Sequence, residues 1–370
     1  MMADHARAWW CCGARFRRSS EAQPQQGSEE SPAETLPDEL WLKILEDLSD
    51  SDMCAMAGVC KRFRRLQVAS GRKLEISARD VYDPECPLSE DWCYWQSRSR
   101  TKSVFHKAVI IDAAARRGFL GVLKFWKKTR AYKKSGMTDW ACVNAAQGGH
   151  LDVLKFLVAE GCPFNRDEIC DQSALHGHIH VLEWLRWERG APLRPSTCAS
   201  AAAGGHLEVL KWLVNVAQCP FDVNTCVAAA KAGHLDVLKW ARANGAPWDE
   251  NVTTAAAYKG RLEALIWMRE QDPPCPWNAD MAAAAAFGGH LDVLKWVRSQ
   301  SPQAPWDEKT CTCAAKANNL EILQWVRAQD PPCPWNWMTV AAARGDYGQN
   351  ELLNWALENG CPGIGVSVSF

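Results

Sequence analysis

The 370-residue sequence lacks several features that would identify common functional classes. It has no excess of one charge: 42 basic residues balance 43 acidic ones, and a net charge of −1 provides no field to attract nucleic acid or an anionic membrane. No apolar run approaches the ~20 residues of a membrane-spanning helix. We find no nucleotide-binding loop, catalytic triad or carboxylate pair. We therefore expect a non-catalytic protein that binds neither nucleic acid nor membranes.

Cysteine is abundant, with 17 residues, yet no Cys-x-x-Cys pair is present. The usual spacing of zinc ribbons and redox sites is therefore missing, and the only early apolar cluster, Trp9 to Cys12, is too short for a signal-peptide core. The cysteines recur once or twice in each of the repeats described next, which favours reduced and mostly buried thiols. We expect a cytoplasmic or nuclear protein without a metal or a cofactor.

What the sequence does contain is an internal repeat with a period near 28 residues. The segment Gly-His-Leu-Asp-Val-Leu-Lys-Phe at 149–156 returns almost unchanged at 205–212, 233–240 and 289–296, and degenerate copies lie between and around these. Each copy closes on an aromatic residue, at intervals of 27 to 31 residues. The nine closing aromatics are Phe125, Phe156, Trp184, Trp212, Trp240, Trp267, Trp296, Trp325 and Trp355.

The residue pattern of each copy predicts a pair of helices. An alanine-rich first helix, as in residues 226–232, is followed by a Gly-His turn. A second helix then places Leu235 and Leu238 on one stripe, with Trp240 nearby. A unit this short cannot bury its apolar face alone, so neighbouring copies must stack. We predict an all-α chain with a solenoid of about nine short repeats over residues 108–362 and a C-terminal tail at 363–370.

The Ala-Ala-x-x-Gly-His-Leu-x-Val-Leu core of the copies resembles the ankyrin repeat. The short period and the many tryptophans resemble the ankyrin arrays of protists, algae and large DNA viruses. The usual ankyrin period is ~33 residues, so about five residues are missing from each copy. The Thr-Pro-Leu-His opening of the family is also replaced here by Thr-Cys-Val or similar. The resemblance implies a protein-binding array whose long hairpin is shortened to a tight turn.

One column of the repeat varies while its neighbours are almost uniformly alanine. It lies four residues before the turn leucine, and a position that accepts lysine, tyrosine and leucine is not core. It is either a solvent-facing column under no constraint or a substrate-reading column on the inner surface. We predict that the substrate-binding residues in this column are Gln147, Leu175, Lys231, Tyr258, Phe287 and Lys316.

Two further sets of side chains invite a functional interpretation. His176, His178 and His180 lie near Glu183, but His178 occupies the Gly-His position of the other copies, so we predict turn histidines and no metal site. A second apolar row lies in the loops, and it either packs between repeats or forms an exposed ladder for a partner. Its members are Phe164, Leu193, Phe221, Trp248, Trp277, Trp306 and Trp335.

The N-terminal residues 35–66 predict three short helices, which are too few to form a sizeable core and should dock on a partner or a neighbouring domain. Their pattern resembles the F-box. It reads Leu-Pro-x-Glu-Leu at 36–40, Ile-Leu-x-x-Leu at 44–48 and Val-Cys-Lys-x-Phe-x-x-Leu at 59–66. Phe63 stands where tryptophan is commonest in the family, and Met53 takes a usual leucine position.

The F-box resemblance implies binding to a Skp-type adaptor and membership of an SCF-type cullin–RING ubiquitin ligase. The repeats would then capture a protein substrate, and the other subunits would supply the catalysis. Carried over to this sequence, the adaptor-binding residues are Leu36, Pro37, Leu40, Ile44, Leu45, Leu48, Met53, Val59, Phe63 and Leu66.

The remaining segments predict a disordered leader at 1–34 and a linker at 67–107. A rival interpretation is a protein-interaction scaffold without a ligase role, in which the N-terminal helices merely cap the open end of the solenoid. A cap should attach closely, whereas a docking module can stand apart. The linker of about 40 residues therefore favours the ligase interpretation.

Overall fold

A computed structural model describes residues 90, 93, 104–128, 139–344 and 351–363. Within these ranges the chain forms eighteen α-helices and no β-strand, which confirms the all-α prediction. The leader and the F-box-like segment predicted at 1–66 lie outside the described residues. The chain divides into two compact units, one ending at Phe164 and the other beginning at Asn165.

The described part of the first unit contains two helix pairs. They are α1 (Val104–Arg116) with α2 (Leu120–Lys127), and α3 (Asp139–Gln147) with α4 (Leu151–Ala159). Helix α1 packs against α3, and α2 contacts α4. Lys127 and Glu160 form an ion pair with 2.6 Å between Nζ and Oε2. Helix α1 begins at Val104, inside the segment predicted as linker, and Cys93 is fully buried.

In the second unit, residues 165–344 and 351–363 form seven further helix pairs. Their bounds are α5 Arg166–Leu175, α6 Ile179–Trp187, α7 Pro195–Gly204, α8 Leu207–Asn215, α9 Val223–Ala232, α10 Leu235–Ala243, α11 Glu250–Tyr258, α12 Leu262–Glu270, α13 Ala279–Gly288, α14 Leu291–Ser299, α15 Glu308–Lys316, α16 Leu320–Arg327, α17 Trp337–Ala343 and α18 Glu351–Glu358. Each pair carries one of the closing aromatics on its second helix, as the sequence period predicts.

The first helices of the second unit pack side by side, α5 against α7 and so on to α17. Their small buried side chains allow this close approach, as in α9, where Cys226, Ala229 and Ala230 are buried. Most of these helices begin at an Asp or Asn that follows the loop aromatic. The Asp222 side chain, for example, accepts a hydrogen bond of 3.0 Å from the backbone N–H of Asn224. The loop sequence therefore sets where most of the first helices start.

The second helices supply the larger apolar side chains of the core. In α10 the buried residues are Val237, Leu238 and Ala241, whereas Leu235 and Trp240 are half-buried. Leu238 therefore lies in the buried stripe as predicted, whereas Leu235, the first residue of the helix, is half-buried, and Val237 and Ala241 complete the buried set.

Candidate functional site

The predicted substrate-binding column lies at the C-terminal ends of the first helices. Gln147 ends α3 in the first unit. The other five residues lie in the second unit, at the ends of α5, α9, α11, α13 and α15. None of the six is buried: Gln147 and Leu175 are half-buried and the remaining four are exposed. The variable column is therefore a surface feature, as its sequence variation requires.

The backbone of this column is held by the turn of the following repeat. His206 forms a hydrogen bond with the backbone of Leu175, and Arg261 Nε donates a hydrogen bond of 3.4 Å to the Lys231 carbonyl. Burial lowers the pKa of His206 below the usual value of histidine, and the hydrogen bond to Leu175 acts in the opposite direction. These bonds satisfy carbonyls at the ends of the first helices, which otherwise lack intrahelical partners. The turn histidines thus have a structural role.

The turn histidine of one repeat also requires glycine at the turn of the repeat before it. Gly205 has a φ of +74°, and a Cβ built there would lie 2.6 Å from the ring of His234 in the next repeat. Only glycine combines this backbone conformation with room for the ring. The recurring Gly-His pair therefore couples neighbouring repeats, with the glycine of one repeat receiving the histidine of the next.

Tyr258 and Phe287 form an exposed aromatic pair in the middle of the column. Their ring centroids are 6.0 Å apart with an interplanar angle of 20°, a stacked arrangement. The side chains remain 36% and 44% exposed. The close approach depends on Gly288, because a Cβ there would lie 2.3 Å from the Tyr258 carbonyl oxygen. We call Tyr258 and Phe287 the aromatic pair.

Lysines surround the aromatic pair. Lys231 lies one helix before it, Lys316 lies one helix after it, and Lys259 Nζ lies 5.0 Å above the centre of the Tyr258 ring. Within the described parts of the chain, none of these three lysines forms an ion pair with an acidic side chain. Lys309, at the opposite end of α15, is paired with Asp280 at 2.8 Å. We call Lys231, Lys259 and Lys316 the lysine row.

We expect Gly288→Ala to destabilise the second unit by about 1–3 kcal/mol, because the added methyl group forces apart two packed helix ends. The direction of the change in stability is informative, because alanine in place of glycine ordinarily stabilises a helix by ~1 kcal/mol. Urea unfolding followed by circular dichroism measures the effect. Gly363→Ala is the matched control, because a Cβ there meets no atom within 4 Å. A gain in stability at Gly288 would contradict the close approach of α11 and α13.

The loop tryptophans pack between consecutive repeats. The last four loop tryptophans share two contacts. An arginine from the second helix before the loop lies over the ring, and the closing tryptophan of the second helix after the loop lies edge-on to it. The distances from the arginine Cζ to the ring centroid are 4.4 Å for Arg242–Trp248, 4.0 Å for Arg269–Trp277, 4.1 Å for Arg298–Trp306 and 4.0 Å for Arg327–Trp335. The distances between the tryptophan centroids are 5.9 Å for Trp248–Trp267, 6.2 Å for Trp277–Trp296, 6.4 Å for Trp306–Trp325 and 6.1 Å for Trp335–Trp355.

These contacts favour inter-repeat packing over an exposed ladder as the role of the second apolar row. All seven members of the row are half-buried. The sequence interpretation did not include the arginines. The sequence does contain a pattern that could have indicated them. In several copies an arginine lies two residues after the closing tryptophan, as Arg269 does after Trp267. A cation above an aromatic face contributes about 0.5–2 kcal/mol, depending on its exposure.

The cysteines serve as buried polar contacts. Twelve cysteines lie in the described residues; all are free thiols and eleven are buried. In the loops, Cys275 Sγ donates to the Asp249 carbonyl at 3.4 Å, and Cys333 Sγ donates to the Asp307 carbonyl at the same distance. Burial raises the pKa of Cys275 to about 12 and that of Cys226 to about 11. These thiols are protonated at neutral pH and behave as small core residues.

The histidine cluster lies at the turn between α5 and α6. The rings of His176 and His178 are nearly parallel with centroids 6.5 Å apart, and those of His178 and His180 are 5.9 Å apart at a steep angle. His176 Nδ1 lies 3.0 Å from the Gln172 carbonyl oxygen. Among the residues that the structure describes, no group of three or more His, Cys, Asp or Glu is placed to hold a metal ion. In the same residues, no helix is long and apolar enough to cross a bilayer.

The predicted adaptor-binding residues, from Leu36 to Leu66, all lie outside the described residues. Comparison with known families identifies this segment instead. An F-box-like family model matches residues 33–69, and a model for ankyrin repeats in many copies matches residues 226–269. The predicted combination of an F-box-like segment with C-terminal ankyrin-like repeats is therefore confirmed. Both are modules of protein interaction.

Among the curated proteins, none matches this sequence. Among solved structures, the crystal structure of the pentatricopeptide repeat protein PPR10 in complex with an 18-nt psaJ RNA element is 13% identical. The match covers 90% of this chain and 54% of that chain, with a TM-score of 0.38. The structure of PPR10 from maize is 14% identical over the same shares of the two chains, with a TM-score of 0.34. This chain spans about half the length of these proteins.

Proposed function

We propose that this chain, with its F-box-like segment and ankyrin-like repeats, is the substrate-recognition subunit of an SCF-type cullin–RING ubiquitin ligase. The F-box-like segment docks on a Skp-type adaptor, and the repeats bind a protein substrate. The observation that carries the proposal is the match of an F-box-like family model to residues 33–69 in a chain that also carries a repeat array. In this assignment the chain contributes binding, and its partners contribute the ubiquitin-transfer chemistry.

The exposed column supports the capturing role of the repeats. A scaffold that only filled space would need no ordered aromatic side chains at its surface, yet the aromatic pair is exposed at the ends of packed helices. Aromatic residues are enriched among those that dominate binding energies. The predicted substrate-binding residues Gln147, Leu175, Lys231, Tyr258, Phe287 and Lys316 remain part of this proposal.

A scaffold with its N-terminal helices as a cap is the alternative. One observation bears on it: Cys93, which belongs to the segment predicted as linker, is fully buried. The charge of Arg117, just beyond α1, acts on its thiol, so Cys93 lies near the first helix pair. A part of the linker thus packs in the first unit. This packing agrees with either role, so adaptor binding decides between the docking module and the cap.

Adaptor capture tests the proposal. We expect the purified full-length chain to bind a Skp-type adaptor, and Pro37→Ala with Leu40→Ala to weaken binding at least ~10-fold, because truncating a central apolar anchor of an interface typically costs more than 1 kcal/mol. Binding is measured by pull-down and by calorimetry. The matched control is Tyr258→Ser with Phe287→Ser, which alters only the repeats and should leave adaptor affinity unchanged.

Absence of adaptor binding by the folded wild-type chain would refute the ligase assignment and favour the scaffold. Equal binding by wild type and the Pro37/Leu40 variant would show that the adaptor contacts a different surface. Circular dichroism of every variant establishes that each protein is folded.

A further inference from the structure

The aromatic pair and the lysine row together form one surface on the second unit. Helices α9, α11, α13 and α15 are consecutive neighbours in the row of first helices. Along this row the exposed column reads Lys231, Tyr258 with Lys259 beside it, Phe287, and Lys316. The apolar centre is therefore flanked by a lysine on each side. No acidic residue belongs to this column.

Small side chains lie beside the column on the same helix faces. One turn earlier on the same helices stand Ala228, Ala255, Ala284 and Cys313, all half-buried. Side chains of this size leave room for another backbone to approach the helices closely. An extended segment crossing the helix ends could therefore reach the aromatic pair and the lysines without displacing larger groups.

We propose that the aromatic pair and the lysine row bind an extended acidic peptide segment that carries a central apolar side chain. The apolar side chain packs on Tyr258 and Phe287, and carboxylates pair with Lys231 and Lys316. The proposal rests on the proposed substrate-capturing role of the repeats and names the class of substrate segment that they recognise.

Charge complementarity identifies the occupant. In the described chain the three lysines have no intramolecular ion pair, so an incoming carboxylate would not have to displace an existing partner. A basic segment would instead be repelled by three like charges around the apolar centre. A purely apolar segment would leave the lysines without partners. An acidic segment with an apolar centre satisfies both parts of the surface.

Packing around Tyr258 disfavours a nucleic acid. Single-stranded nucleic acids bind such surfaces by stacking bases on open aromatic faces. Here Phe287 is already stacked on Tyr258, and Lys259 lies above the Tyr258 ring. These contacts reduce the open face of Tyr258 on which a base could stack, whereas an apolar peptide side chain can also pack against ring edges and against Phe287, which remains 44% exposed. The net charge of −1 also provides no general attraction for a phosphate backbone.

The helix spacing predicts the pattern of the peptide. Packed helices lie ~8–10 Å apart, so Lys231 and Lys316, separated by three helix steps, are roughly 24–30 Å apart. An extended chain advances ~3.3 Å per residue. The recognised segment should therefore carry acidic residues about four positions to either side of the apolar residue.

Selection of peptides by the full-length chain tests the proposal. A random-peptide phage library is panned on the wild-type protein and counter-selected on Tyr258→Ser with Phe287→Ser. We expect enrichment of peptides with a central apolar residue flanked by acidic ones. A synthetic peptide of the enriched sequence, labelled for fluorescence anisotropy, should bind at least ~30-fold more weakly to the aromatic-pair variant, the loss expected for hot-spot residues.

Charge reversal provides a second test with matched controls. The double substitution Lys231→Glu with Lys316→Glu should lower the affinity for the same peptide roughly 10-fold. It should also reduce the dependence of peptide binding on salt concentration. Trp187→Ser removes an aromatic side chain that is 62% exposed on a second helix, and Lys295→Glu reverses an exposed charge on α14; both should leave binding unchanged. Circular dichroism verifies that all variants are folded.

Several outcomes would overturn the inference. They are no enrichment at all, enrichment of peptides without acidic residues, and binding that the Tyr258 and Phe287 substitutions leave intact. Tighter binding of an oligouridine strand than of any selected peptide would assign the surface to nucleic acid instead. Adaptor binding is measured on the same proteins. If the chain binds the adaptor but no acidic peptide, only this inference is wrong. If it binds the peptide but not the adaptor, only the ligase assignment is wrong.

Discussion

Replacing Leu238 by alanine is expected to lower the free energy of unfolding by about 2–5 kcal/mol. Leu238 is fully buried in α10, among the larger side chains that the second helices contribute to the core. Helix α9, which packs against α10, buries Thr225, Cys226, Ala229 and Ala230, and these side chains are too small to fill the space that the leucine would leave. The substitution therefore loses the burial of the leucine and creates a cavity.

Urea unfolding followed by circular dichroism measures this loss. The matched control is Leu357→Ala, because Leu357 is 47% exposed on α18 and its truncation should change stability by less than ~0.5 kcal/mol. Repeat arrays gain stability from contacts between neighbours, so a defect in the middle of the unit can also separate its unfolding into two steps. A loss of similar size for the two leucines would contradict the burial that distinguishes them.

Replacing Trp277 by alanine is expected to cost about 2–4 kcal/mol, because the ring is an inter-repeat contact on two sides. Arg269 lies 4.0 Å above it, and Trp296 of the next repeat lies edge-on with its centroid at 6.2 Å. Removing the ring leaves the guanidinium and the second indole without their partner. Trp187→Ala is the matched control, since that side chain is 62% exposed with an arginine only at 5.6 Å.

A double-mutant cycle separates the cation–π contact from simple burial. Arg269→Met and Trp277→Leu, singly and together, should give a coupling energy of about 0.5–2 kcal/mol. Arg269 Nη1 also donates to the Cys275 carbonyl at 3.5 Å, so the single arginine variant alone would overstate the ring contact. A coupling energy near zero would mean that the arginine only covers the ring without a favourable interaction.

The Arg–Trp contacts change how the tryptophan content of the chain is understood. Twenty tryptophans in a protein-binding array suggest a recognition ladder. In the second unit, however, the loop and closing tryptophans pack against each other between repeats and arginines cover the loop rings. This leaves the exposed aromatic pair at the helix ends as the surface that we propose for recognition.

Much of the architecture could be predicted from the sequence because its signals are local and repeated. The period near 28 residues, the alanine-rich first helix, the Gly-His turn and the closing aromatic each depend on residues within one copy. Their repetition makes the helix pairs evident, and the nine closing aromatics all lie on second helices. The F-box-like pattern is likewise contained in about 32 residues, and a family model confirms it.

The contacts between copies could not be predicted in the same way. Tyr258 and Phe287 are 29 positions apart, and nothing in their own repeats indicates that their rings stack. The stack depends on the distance between α11 and α13, which Gly288 allows to be short at this point. The arginine above each loop tryptophan is a similar case, since the loop between them must fold back over its own helix.

The sequence by itself therefore determined the all-α class and the helix pairs, because its signals repeat within each copy. It also determined the surface position of the variable column, because a position that accepts lysine, tyrosine and leucine cannot be core. The tertiary structure alone decided which residues of that column meet. It also decided that the loop tryptophans pack between repeats and that the lysines flank an exposed aromatic pair. The physical reason is that distances between helices depend on the side chains packed at every interface, and that information is spread over residues far apart in the chain.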